Sequence, residues 1–211
     1  SPSIREILGL DALRLLNDSR YLIFFISSIL ICIPLAFYYQ DANLFLNELG
    51  MKNAAGVMTL GQISEALFIL LLPLFLNKYG IKKTLIVGMF AWSLRYVLFA
   101  FGDTGSNIWM LIFGIVLHGI CYDFFFVSGQ IYTDFKAGEK YKSAAQGLIA
   151  LATYGLGMLI GFRLAGRVTD QFALDPGHDW TQIWIIPAIF AAVVLVIFIL
   201  TFKNEKIEIE K

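Results

Sequence analysis

The chain has 211 residues, with sixteen Lys and Arg against sixteen Asp and Glu, so its formal net charge is zero. Hydrophobic residues make up 58% and charged residues only 15%, with a mean hydropathy of +0.73. A soluble domain carries about 25% charge, so the apolar excess must face something other than water, and the balanced charge argues against a nucleic-acid partner.

Residues 1–20 place Ile4, Ile7, Leu8, Leu10, Leu13, Leu15 and Leu16 among charges. This pattern predicts an amphipathic segment lying on the cytoplasmic membrane face. Arg5, Glu6, Arg14, Asp18 and Arg20 leave no apolar run for a cleavable signal. Six runs then approach the roughly 20 apolar residues that a helix needs to cross the hydrocarbon layer. They are Tyr21–Tyr39, Ala54–Leu76, Thr84–Phe101, Ile108–Ile131, Ala144–Gly166 and Ile183–Phe202. In lipid only a helix or a closed barrel satisfies its own backbone, so the expectation is an all-α integral membrane fold with six transmembrane helices over residues 21–202. Turns are expected at Tyr79-Gly80-Ile81-Lys82 and over Gly102–Ser106, with a solvated tail over residues 203–211. Cys32 and Cys121 each fall in an apolar run, which points to reduced, packed thiols.

The loop charges alternate. Arg5, Arg14 and Arg20 precede the first run, and Lys78, Lys82 and Lys83 lie between the second and third. Lys136, Lys140 and Lys142 lie between the fourth and fifth, and Lys203 and Lys206 follow the sixth. The intervening first and second outer loops carry Lys52 as their one Lys or Arg. Positive charge gathers on the cytoplasmic side, so both termini are expected there, in an inner-membrane, multi-pass protein. Arg163 and Arg167 break the pattern at the far end of the fifth run, and are expected to snorkel to the outer interface.

Four ionisable residues sit inside the runs: Glu65, Arg95, His118 and Asp123. Each is costly against lipid and should face protein or a cavity. At 1.5 Å per residue, Glu65 and Arg95 lie roughly 17 Å from the cytoplasmic ends of their helices and Asp123 roughly 12 Å. Polar groups from three helices near one level suggest a solute site. Arg95 and Asp123 can be read as an ion pair between neighbouring helices, or as members of that cluster. Gln62 and Glu65, spaced i and i+3, put an amide and a carboxylate on one helix face. A carboxyl group in a low dielectric can also exchange a proton near neutral pH. His118, one turn before Tyr122, reads as a cavity hydrogen bonder or as a packed neutral ring. Gln62 and Ser64 can hold helices together, and Gly157 and Gly161 form a small-xxx-small pair that predicts a close helix crossing.

Several of these stretches together resemble one family. Gly61-Gln62-Ile63-Ser64-Glu65 with the following ILLLPLFLNKYGIKK, MFAWSLRY around Arg95, Tyr122-Asp123-Phe124-Phe125 with Ser128-Gly129, and Ser143–Leu148 are similar to the nucleoside:proton symporters of the major facilitator superfamily. The resemblance runs from about Tyr21 to Phe202 and is weakest in the sixth run. Such transporters have twelve spans in two halves, and this chain resembles the second. The resemblance therefore implies a C-terminal half of a secondary transporter, with residues 1–20 as the end of a central linker. The lack of an initiating Met fits a piece of a longer chain.

By the same resemblance, Gln62, Glu65, Tyr122 and Asp123 line a nucleoside cavity, with the turn of Tyr38 and Tyr39 beside it, and His118 is the hydrogen bonder expected at its wall. Glu65 and Asp123 are the expected proton-coupling groups. Where family members carry amides on the turn of Tyr38 and Tyr39, this chain has Ala36 and Tyr39. The expected partners are a nucleoside-like solute, protons, the bilayer, and either an N-terminal six-helix half or a second copy of this chain. No cofactor or metal is expected. Two alternatives stand beside this reading: a six-span module with no transport of its own, and a carrier of another sugar-containing solute. An enzyme is not expected, because the two histidines, His118 and His178, are far apart and neither HExxH nor GxSxG occurs.

Overall fold

A computed structural model describes residues 10–206. The part of the expected amphipathic segment before residue 10, and the tail beyond residue 206, lie outside the described residues. Leu10–Asn17 forms a 3-10 helix that buries Ala12 and Leu15. Four helical stretches follow that are long and apolar enough to cross a membrane: α1 (Ser19–Glu48), α2 (Ala54–Phe101), α3 (Ile108–Gln171) and α4 (Trp180–Thr201). This is the build of a multi-pass membrane protein.

Local chemistry sets where these stretches start. The Asp18 carboxylate accepts the Arg20 amide hydrogen at 2.9 Å and caps α1. Asn53, in the left-handed region, caps α2 through Gly56, and Asp179 caps α4 through Gln182. Helical backbone continues through Pro34 and Pro73, while α2 and α3 each break at one glycine. Gly80 (φ +78°) and Gly138 (φ +65°) take a conformation that side chains resist, and each divides its stretch into two limbs. The expected turn after residue 79 is thus little more than a single residue, whereas residues 102–107 do form a loop.

These breaks share one end of the bundle. Gly80 lies beside Asn204, just past α4, and Lys82 Nζ donates to the Ile199 carbonyl at 3.0 Å. Lys136, just before Gly138, pairs with Asp18 at 2.6 Å and with Glu205 at 2.7 Å. The opposite end gathers the remaining connections. There Thr104 donates to the Leu49 carbonyl, and Glu48 accepts from Trp180 Nε1 at 2.8 Å and pairs with His178 at 2.8 Å.

The centre is aromatic and close-packed. Tyr96 stacks on Trp184 with centroids 5.5 Å apart, Phe45 and Phe99 close the same cluster, and the Tyr96 hydroxyl donates to the Pro34 carbonyl. Gly157 and Gly161 meet α1 as their spacing predicts. A Cβ on Gly161 would come within 2.6 Å of the Ala36 Cβ, and one on Gly157 within 2.8 Å of the Cys32 Cβ. Cys32 and Cys121 are free and buried.

Candidate functional site

The first limb of α2 presents Ser64 and Glu65 to α3, and Ser64 fixes their register. Its hydroxyl donates to the Val116 carbonyl and accepts the Gly119 amide at 3.2 Å. The backbones approach so closely that a Cβ on Gly119 would lie 2.4 Å from Ser64 Oγ. Glu65 is carried by this pin to the ring of His118, with Oε2 3.7 Å from Nε2.

The other face of that ring is held by Arg95. Arg95 Nη1 lies 3.0 Å from His118 Nδ1. A guanidinium has no acceptor, so Arg95 donates, Nδ1 accepts, and the proton of the neutral ring sits on Nε2, turned towards Glu65. Arg95 itself is fully buried, with its guanidinium carbon 3.5 Å from the centroid of Tyr38. Tyr38 in turn stacks on His118 at 5.4 Å. The result is a chain of contacts, Tyr38–Arg95–His118–Glu65, drawn from three of the four helical stretches.

Around it the aromatic residues continue. Tyr39 adjoins Tyr38 at 5.9 Å and is 52% exposed, and Tyr122 lies 5.9 Å from His118. Between Tyr122–Val127 and again over Leu151–Gly157, α3 widens to π-helical bonding, a departure that recurs at functional sites. The Tyr122 and Tyr154 hydroxyls from these two segments share a hydrogen bond of 2.6 Å. Gln62 is exposed on the Glu65 side of its limb.

The structure corrects one expectation. Arg95 and Asp123 form no ion pair: Arg95 is directed to His118 and Tyr38, while neither Asp123 carboxylate oxygen has a hydrogen-bond partner among the described residues. Asp123 lies inside the π-helical segment, whose i to i+5 bonding departs from the register of an ordinary α-helix. Asp123 is fully buried, as is Arg95, whose Nε and Nη2 are also unpartnered, together with the Tyr38 hydroxyl. Groups of this kind are rare in a protein interior and concentrate where function demands them.

One participant escaped the reading of the sequence, and the part played by another was only half read. Tyr154 lies in an apolar run and gains its place only through the Tyr122 contact. Tyr38 showed as a neighbour of Tyr39, but not as the platform for Arg95. Arg163 and Arg167 are exposed on the second limb of α3. Among the described residues no cluster of three or more His, Cys, Asp or Glu is placed to hold a metal ion.

Comparison with known proteins adds four findings. The family described as nucleoside H+ symporter matches residues 1–207. YegT of Escherichia coli (strain K12) is 44% identical over 214 residues, covering 98% of this chain and 50% of that protein. The nucleoside permease NupG of the same organism is 32% identical, covering 96% of this chain and 51% of the permease. A crystal structure of nucleoside transporter NupG superposes with a TM-score of 0.84 at 32% identity, covering 97% of this chain and 53% of that one. The chain thus spans about half the length of the relatives it matches.

Proposed function

The chain belongs to the nucleoside H+ symporter family, and from that footing we propose that it forms the C-terminal, six-span half of a major-facilitator-type transporter moving a nucleoside together with protons. The family is one of transporters, not of enzymes. The six crossings are read from the two glycine breaks: Gly80 and Gly138 fold α2 and α3 back on themselves at the end where α1 begins and α4 finishes. That end carries Lys78, Lys82, Lys83, Lys136 and Lys140, so it faces the cytoplasm of the inner membrane.

The observation that carries the solute reading is the Tyr38–Arg95–His118–Glu65 chain, with Gln62, Tyr39 and Tyr122 at its open side. A nucleoside offers hydroxyls for Glu65 and Gln62, an acceptor for His118 Nε2–H, and a base for Tyr39 and Tyr122 to stack on. Glu65 and Asp123 are the carboxyl groups assigned to the proton. These side chains come from one half of the cavity wall, and a second six-span half completes it. This chain alone therefore does not transport.

Uptake of labelled nucleoside driven by a pH gradient tests the assignment in the completed transporter. Glu65→Gln keeps the shape and most hydrogen bonding but removes the titratable group. It should abolish accumulation while leaving exchange of nucleoside across the membrane partly intact. Accumulation equal to that of the unmodified protein would remove Glu65 from proton coupling.

A further inference from the structure

A slot of about 420 Å³ opens between the two limbs of α2 and α3, with neither Glu65 nor His118 in its lining. Phe68, Leu71, Leu74 and Phe75 of the first limb form one wall, Val87 of the second limb the other, and Phe124 the floor. The ring of Phe124 lies 4.9 Å from that of Phe75 and 6.1 Å from that of Phe68, edge to face, so the floor is continuous. Nothing in these walls accepts or donates a hydrogen bond.

The mouth is different. Lys78 and Tyr79 line it, at the basic end of the bundle. Lys78 Nζ stands 5.2 Å from the Tyr79 centroid and Lys83 Nζ 6.0 Å, so two ammonium groups converge on one ring. Neither forms an ion pair among the described residues. At the same end Lys136 meets Asp18 and Glu205, and Lys142 meets Asp134 and Glu139, while Lys82 donates to the Ile199 carbonyl. The Lys78–Lys83 pair is left with charge to satisfy, directly above an apolar slot.

We propose that this slot binds one anionic phospholipid, with an acyl chain along Phe68, Leu71, Phe75 and Phe124 and the headgroup phosphate between Lys78 and Lys83. An apolar slot roofed by cations matches an amphiphile whose anion sits at the interface and whose chain lies in the membrane. A soluble anion would leave the slot unfilled, and a zwitterionic lipid brings a cation to a site that already holds two. The site requires only that these helices lie in a bilayer, so it stands or falls separately from the nucleoside reading.

The test uses the whole chain, purified in detergent, with equal amounts of phosphatidylglycerol and phosphatidylcholine, and native mass spectrometry to read which lipid stays bound. One phosphatidylglycerol should be retained in preference. Replacing Lys78 and Lys83 by Gln should lower that preference roughly fivefold per lysine. Leu74→Trp enters the slot from its open side, since Leu74 is 68% exposed, and should reduce retention of either lipid. Equal retention of the two lipids by the unmodified chain would overturn the proposal, as would an unchanged preference in the double lysine variant. Full retention in Leu74→Trp would overturn the placement of the acyl chain.

Discussion

Arg95 directs its charge to a ring nitrogen and an aromatic face rather than to a carboxylate. A planar, delocalised cation suits both contacts at once, which an ammonium does not. Arg95→Lys should therefore cost roughly 1–3 kcal/mol of stability, because His118 Nδ1 loses its donor and Tyr38 its stacked partner. Chemical unfolding in detergent measures this, and an unchanged midpoint would contradict it. The same residue shows what one-dimensional reading can and cannot reach. Glu65, Arg95 and His118 stood out as ionisable groups in apolar runs, and the structure does bring them together. The partner of Arg95 was not legible, since His118 and Asp123 both lie on the same apolar run and only the packed helices choose between them. Apart from Asp123, Tyr122–Val127 has the apolar composition of a membrane helix and carries no mark of its widened backbone.

Among the elements, the glycines divide into two kinds. Gly80 and Gly138 break helices, and the reading of loops around them was correct in place but too long in extent. Gly157 and Gly161 were legible as a pair because their spacing puts both on one face, against α1. Gly161→Ala should cost roughly 1–3 kcal/mol, since its new methyl would lie 2.6 Å from Ala36 Cβ and 3.0 Å from Ile33 Cα. Gly147→Ala, with nothing within 4 Å, serves as the control and should be close to neutral or slightly stabilising. At the basic end, Lys136 joins the start of α1 to the segment after α4 through Asp18 and Glu205. The hydrogen bond from Lys136 holds the Asp18 carboxyl below its ordinary value, and the Arg20 amide adds to this. A depressed carboxyl contributes stability that is present above its unfolded value and is lost as pH falls through the lower folded one. Stability should thus decline below about pH 4, and Asp18→Asn should flatten that decline. Denaturant midpoints across this range decide it, with identical slopes in the two proteins counting against the clasp.

For the whole molecule, the six crossings proposed above would place both described ends of the chain on the cytoplasmic side. Single cysteines at Asn107 and Lys140 should label from opposite sides of the membrane, and equal labelling from outside would contradict that topology. Composition made the membrane class legible, because it is summed over many residues, and alternating loop charge supplies the orientation that the labelling tests. The solute is less so, since it depends on a few contacts at an open face. The central claim is that this face is half of a proton-coupled nucleoside cavity. Its most direct test is uptake of labelled nucleoside by vesicles under a pH gradient, holding this chain alone, a complementary six-span half alone, or both. Uptake only with both, and its loss when Glu65 is replaced by Gln, is the predicted result; accumulation by this chain alone, or by the pair irrespective of Glu65, would contradict it.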